Sequence, residues 1–79
     1  PHNPSGTCLD QDTLKGLVAL ADAAGAYLLV DEVYLDAVNL AAGHAAPVVS
    51  ATRLDGPVVV TSSLTKAYGL NGLRCGWAI

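Results

Sequence analysis

The chain has 79 residues, of which 52% are hydrophobic and only 14% are charged. Because a small domain exposes much of its surface and needs charge to stay soluble, this composition predicts an internal segment of a larger domain. The formal net charge of −3 provides no basic surface for nucleic acid, and no apolar run is long enough to cross a membrane.

A turn and a helix open the chain. Residues 1–8 are rich in Pro, Ser, Gly and Thr, and they predict a turn. A helix is expected from about Asp10 to Ala24, with Asp10 as its N-cap and Gly25 at its end. Apolar residues at helical spacing predict a single stripe that faces the core, made of Leu14, Leu17, Val18, Ala21 and Ala24.

Three apolar runs predict strands. Residues 27–31 form a continuous apolar run after a glycine, which is typical of a strand buried on both faces. Residues 57–62 are rich in valine and predict a second strand, and residues 73–79 predict a third. Residues 36–54 are weakly patterned, so we expect a loop with a short helix there. A helix followed by buried strands indicates an α/β sheet.

Polar residues follow the predicted strands. Asp31 and Glu32 end the first strand, and Ser62, Ser63 and Lys66 end the second. Ligands of open α/β sheets bind beyond the carboxyl ends of the strands, so these residues are candidates for a binding site. A charge beside apolar strands also needs a partner. From the strand pattern alone, a structural ion pair between Asp31 and Lys66 is an equally good interpretation.

Three motifs in order resemble the class I/II aminotransferases, which are fold-type I pyridoxal-phosphate enzymes. They are residues 3–7, residues 31–34 and residues 63–77. The resemblance implies that residues 1–79 are an internal segment of the cofactor-binding large domain. That domain has a mixed, mostly parallel sheet, of which this segment would supply three strands and at least one helix. The implied cofactor is pyridoxal 5′-phosphate, and no metal is implied.

The catalytic residue that the resemblance implies is Lys66. It would hold the cofactor as a Schiff base and, once displaced by substrate, would move the proton at the substrate Cα. Asp31 matches the carboxylate that stabilises the protonated pyridine nitrogen. This arrangement makes the cofactor an electron sink for the substrate carbanion.

Four further residues match cofactor ligands by the same resemblance. Asn3 and Tyr34 match hydrogen-bonding partners of the ring 3′ oxygen, and Ser63 and Arg74 match phosphate ligands. Arginine suits phosphate because its planar guanidinium donates two parallel hydrogen bonds. The resemblance also implies a cis peptide bond between Asn3 and Pro4.

The implied activity is transfer of an amino group between an amino acid and a 2-oxo acid, in amino-acid metabolism. The parent protein is expected to be a cytoplasmic homodimer that acts on small molecules, without a nucleic-acid or membrane partner. A lyase or synthase of the same fold is one alternative, and an aminotransferase-like sensor domain of a transcription regulator is another. The segment alone is expected to be inactive, because other essential residues of the family lie outside it.

Several polar residues receive structural interpretations. Glu32 is expected to be structural, and Tyr68 is expected to pack against its neighbours. Cys8 and Cys75 lack the spacing of metal ligands, so we expect reduced, packed thiols.

Overall fold

The chain alternates between helices and strands. The computed structural model describes residues 1–42 and 47–79. The elements in chain order are α1 (Gln11–Ala23), β1 (Leu28–Asp31), α2 (Leu35–Ala42), a 3-10 turn (Ala51–Arg53), β2 (Val58–Ser63), a second 3-10 turn (Asn71–Leu73) and β3 (Gly76–Ala78). This arrangement confirms the predicted α/β class.

The three strands form one mixed sheet in the order β1-β2-β3. Strands β1 and β2 are parallel, and Asp31 lies opposite Thr61. Strand β3 is antiparallel to β2, and Gly76 lies opposite Ser63. The carboxyl ends of β1 and β2 and the amino end of β3 therefore lie at the same edge of the sheet. We call this edge the polar edge.

Helix α1 has local signals at both ends. The Asp10 carboxylate accepts a hydrogen bond of 2.7 Å from the backbone N–H of Thr13, and this contact holds the pKa of Asp10 below its usual value. At the other end, Gly25 has a φ of 63°, and its N–H donates to the carbonyl of Asp22. Glycine is favoured there because the left-handed conformation costs it little. The predicted N-cap and helix end are confirmed.

The core lies between α1 and one face of the sheet. The buried apolar side chains in the described residues are those of Leu14, Val18, Ala51 and Val60. On β1, burial alternates, so Leu28 and Val30 are half-buried while Leu29 is 66% exposed. The prediction of a strand buried on both faces is wrong for this segment, because α1 covers only one face. The predicted stripe holds except at Ala24, which is exposed.

The third strand is shorter than predicted. Residues 73–79 were expected to be extended, but β3 contains only Gly76–Ala78. Arg74 has φ 48° and ψ 39°, which is a left-handed conformation that interrupts a strand. The backbone therefore turns at Arg74 before it enters the sheet.

The weakly patterned stretch, residues 36–54, contains most of α2 and the first 3-10 turn. Its residues 43–46 lie outside the described residues. The Asn39 amide donates to the carbonyl of Val48 at 3.0 Å and accepts from the N–H of Val48 at 2.7 Å. This paired contact fastens the chain after α2 to the helix.

The described helices are short. Neither α1 nor α2 has the length and apolar character needed to span a membrane, and the same holds for the remainder of residues 1–42 and 47–79.

Candidate functional site

Asp31 ends β1 at the polar edge. Its Oδ1 accepts a hydrogen bond of 3.1 Å from the N–H of Val33 and lies 3.5 Å from the hydroxyl of Thr61, its partner on β2. Because both contacts use Oδ1, the protein orients the carboxylate, and Oδ2 has no hydrogen bond within residues 1–42 and 47–79. The side chain is exposed, so a ligand has access to it.

Tyr34 lies directly before α2, three residues after the end of β1. Its carbonyl accepts the N–H of Val38, and the N–H of Leu35 donates to the carbonyl of Glu32. These contacts start the helix directly after the strand. The Tyr34 side chain is half-buried.

Asn3 lies in the turn that opens the chain. The Asn3–Pro4 peptide bond is cis, as predicted. The turn is closed by a hydrogen bond from the N–H of His2 to the carbonyl of Thr7, and His2 Nδ1 lies 2.8 Å from the Ser5 hydroxyl. His2 therefore serves the turn, and Asn3 is held next to it.

A single cleft of about 660 Å³ includes three of the predicted site residues in its walls, namely Asn3, Asp31 and Tyr34. Its remaining walls are mainly apolar, with side chains such as Leu14 and Val30. The other predicted residues do not line this cleft. They lie on the β2 and β3 side of the polar edge.

Lys66 lies in a short loop after β2. The loop is closed at its base, because the N–H of Leu70 donates to the carbonyl of Leu64 at 3.1 Å. The N–H of Leu64 donates in turn to the carbonyl of Cys75, which fastens the loop to the chain that enters β3. Ser63 is the last residue of β2, directly before this loop, and its hydroxyl lies 2.7 Å from that of Thr65.

The Lys66 amine is exposed and forms no ion pair with Asp31. Among residues 1–42 and 47–79, the ion pair found within 4.0 Å joins Lys15 to Asp12, at 3.6 Å. The structural ion pair considered from the sequence is therefore not formed. Both groups remain available at the polar edge.

Arg74 directly precedes Cys75, whose carbonyl accepts a hydrogen bond from the N–H of Leu64. Its side chain is exposed. A left-handed backbone is uncommon for a residue with a Cβ, and such conformations concentrate at functional sites. The left-handed backbone of Arg74 could not be predicted from its residue type.

Glu32 is structural, as expected. One carboxylate oxygen accepts the N–H of Ala51 and the other accepts the hydroxyl of Ser50, both at 2.7 Å. Glu32 therefore holds the first 3-10 turn against the sheet through both of its carboxylate oxygens.

Two sequence interpretations were wrong. Tyr68 is half-exposed rather than packed, and its hydroxyl donates a hydrogen bond of 2.8 Å to the carboxylate of Asp36. This contact joins residues 32 positions apart, so no local pattern could reveal it. Cys8 and Cys75 are reduced, as expected, but both are exposed instead of packed.

The sequence profile of the family described as "Aminotransferase class I and II" matches residues 1–79, which is the whole chain. The chain belongs to this family. No solved structure matches it significantly.

Three curated relatives share substantial identity. The 3-methylarginine biosynthesis aminotransferase of Streptomyces arginensis is 42% identical over 98% of this chain and 21% of the relative. Capreomycidine synthase of Streptomyces vinaceus is 39% identical over 100% of this chain and 19% of the relative. Histidinol-phosphate aminotransferase of Sodalis glossinidius is 34% identical over 100% of this chain and 20% of the relative. The chain thus spans about a fifth of the length of these proteins.

Proposed function

We propose that the full-length protein is a pyridoxal-phosphate-dependent aminotransferase, which transfers an amino group between an amino acid and a 2-oxo acid. Residues 1–79 would be an internal segment of its cofactor-binding large domain. Family membership over the whole chain supports the class of enzyme. The observation that carries the proposal is the parallel pairing of β1 and β2, because it puts the carboxylate of Asp31 and the loop that contains the Lys66 amine at the same edge of the described sheet.

The chemical groups at the polar edge suit each part of pyridoxal phosphate. Its ring nitrogen, when protonated, is a cation that the free Oδ2 of Asp31 would stabilise. Its aldehyde requires an amine, and Lys66 has no competing ion pair within the described residues. Its ring oxygen would bind the Tyr34 hydroxyl and the Asn3 amide.

The phosphate of the cofactor would lie on the other side of the polar edge. Ser63 supplies a hydroxyl, and Arg74 supplies a planar guanidinium with two parallel N–H groups. The pairing of Ser63 with Gly76 and the bond from Leu64 to Cys75 keep these two segments together. We therefore propose Ser63 and Arg74 as the phosphate ligands.

When bound, the cofactor would supply an electron sink that makes the α-proton of an amino acid removable. The residues of this chain would then have distinct tasks. Asp31 would keep the ring nitrogen charged, and Tyr34 and Asn3 would orient the ring. Lys66 would take the proton from the substrate Cα and deliver it, as a general acid, to the C4′ carbon of the cofactor, because its amine would lie close to both carbons.

A synthase or lyase of the same fold is the second candidate. The observation that favours it is the 39% identity to capreomycidine synthase, a value close to the 42% found for an aminotransferase. These reactions share the cofactor and the α-proton step, so the residues of this segment would serve either. The outcome depends on residues outside the segment.

We propose that the enzyme is a cytoplasmic homodimer whose partners are amino-acid and 2-oxo-acid substrates. Nucleic acid and membranes are not among the proposed partners.

The proposal is tested by incubating the full-length holoenzyme with single amino acids and no acceptor. We expect one equivalent of 2-oxo acid to be released per active site by the preferred donor. Release should be lost in Lys66→Ala and retained in Lys15→Ala, the matched control on α1. A product formed by elimination or cyclisation, without transfer of the amino group to the cofactor, would favour the second candidate instead.

A further inference from the structure

The loop that contains Lys66 is joined to the chain after β1 by a side-chain hydrogen bond. Tyr68 Oη donates to Oδ2 of Asp36 at 2.8 Å, which is a normal length for a hydroxyl that donates to a carboxylate. Tyr68 lies two residues after Lys66, and Asp36 lies two residues after Tyr34. The contact therefore joins the two segments that carry the proposed amine and the proposed ring ligands.

The other contacts of the Lys66 loop lie at its base. The backbone N–H of Leu70 donates to the carbonyl of Leu64, and the N–H of Leu64 donates to the carbonyl of Cys75. These hydrogen bonds fasten the loop to itself and to the β3 side of the sheet. The described backbone hydrogen bonds between β1 and β2 end where the N–H of Glu32 donates to the carbonyl of Thr61. Past that point, a contact from Ser62 to Glu32 at 3.5 Å is long. Among the described residues, the bond from Tyr68 to Asp36 is thus a short link across the polar edge beyond the strands.

The hydroxyl of Tyr68 is the donor of this bond, and the carboxylate of Asp36 is the acceptor. Asp36 lies in the first turn of α2, where the helix dipole favours a negative charge. The hydrogen bond to Asp36, together with the charge of that carboxylate, raises the pKa of the Tyr68 hydroxyl above its usual value. Tyr68 therefore stays a neutral donor at neutral and moderately alkaline pH.

We propose that Tyr68 and Asp36 are positioning residues, which set the distance between Lys66 and the ring ligands Asp31 and Tyr34. This inference rests on the proposed function. The pyridine ring of the cofactor is rigid, so a ring held by Asp31 and Tyr34 would place its aldehyde carbon at one fixed distance from those residues. The Lys66 amine would have to reach that carbon. Small errors in such a separation weaken both binding and catalysis. The link acts through the Lys66 loop and does not contact the reacting atoms.

The test uses the full-length holoenzyme with Tyr68→Phe, Asp36→Asn and the double variant. Tyr27→Phe is the matched control, since Tyr27 is 77% exposed and lies at the opposite end of β1. Two readouts do not depend on turnover. They are the rate of cofactor release and the pH midpoint of the visible absorbance of the bound cofactor. The unfolding midpoint of the apoprotein reports any general loss of stability.

We expect release to accelerate by about threefold to tenfold in all three variants, because each loses the same solvent-exposed hydrogen bond. The single and double variants should match, as expected for two residues that act only through each other. The absorbance midpoint should move in the same direction in all three and stay unchanged in Tyr27→Phe. The reason is that loss of the link would change the distance between the Tyr34 hydroxyl and the side-chain nitrogen of Lys66, and with it the midpoint.

Three results would overturn this inference while leaving the proposed function intact. The first is a Tyr68→Phe variant whose cofactor-release rate and absorbance midpoint equal those of the wild type. The second is a double variant in which the effects of the two single changes add. The third is a lower unfolding midpoint of the apoprotein with both cofactor readouts unchanged. A wild-type protein that develops no visible absorbance with pyridoxal phosphate would contradict the proposed function itself, and the inference with it.

Discussion

Individual residues at the polar edge differ in how the protein holds them. Asp31 is oriented through one oxygen by Val33 and Thr61, and its second oxygen forms no hydrogen bond in the part of the chain that the structure describes. Arg74 has a left-handed backbone conformation, and its side chain is exposed. Substitutions at Asp31 therefore test the effect of charge, and substitutions at Arg74 test the effect of backbone conformation.

Replacing Asp31 with Asn should lower turnover much more than cofactor binding. The amide keeps the size of the side chain and its oxygen can still accept from Val33, but it cannot stabilise a charged ring nitrogen. We expect a decrease in kcat of about 100-fold or more, as is usual when an electrostatic contact to developing charge is removed. Steady-state kinetics and a cofactor titration measure the two effects. Asp22→Asn, an exposed change on α1, is the control, and near-normal turnover in Asp31→Asn would remove the role assigned to Asp31.

Replacing Arg74 with Ala and with Gly separates its two features. Both variants lose the proposed phosphate contact, so both should bind pyridoxal phosphate at least about tenfold more weakly. The Gly variant should be more stable than the Ala variant by about 1 kcal/mol, because glycine adopts a left-handed backbone without strain. Cofactor titration and thermal unfolding of the apoprotein give the two values. Unchanged cofactor affinity would argue against the phosphate contact, and equal stability of the two variants would argue against backbone strain.

At the scale of elements, predictions succeeded where the signal is local. Helix α1 was predicted within one residue at each end, because its cap at Asp10 and its end at Gly25 are set by neighbouring residues. The start of β3 was missed because Arg74 adopts a conformation that its residue type does not favour. The contact of Tyr68 with Asp36 was missed because tertiary structure creates it. The roles of the six candidate site residues came from motif resemblance and remain predictions.

Two glycines test how α1 is packed. Gly16 lies in α1, and a Cβ added there would meet no atom within 4 Å apart from its chain neighbours and the nearby helix backbone, so Gly16→Ala should stabilise the protein by about 0.5–1 kcal/mol through helix propensity. Gly56 has a φ of 134°, and a Cβ there would lie 2.5 Å from Cγ1 of Val18. Gly56→Ala should therefore destabilise by about 2 kcal/mol. Thermal unfolding of the full-length apoprotein gives the unfolding midpoint of each variant. Equal shifts of the midpoint in the two variants would show that the turn at Gly56 does not pack on α1.

At the scale of the whole molecule, the described residues leave apolar surface uncovered. Leu29 is 66% exposed on the sheet face that α1 does not cover, and Ile79 at the end of the chain is 72% exposed. Curated relatives are about five times as long as this chain. We therefore propose that other parts of the protein cover these apolar surfaces and supply the substrate-binding residues. Activity would then belong to the full-length protein.

The most direct test of this account is reduction of the full-length holoenzyme with borohydride, followed by peptide mapping. The chain contains two lysines, Lys66 in the loop after β2 and Lys15 on α1, so Lys15 is an internal control. We predict that the reduced cofactor is attached to the peptide that contains Lys66, at one equivalent per chain. Attachment to Lys15 or to a lysine outside residues 1–79, with Lys66 unmodified, would contradict the assignment of Lys66.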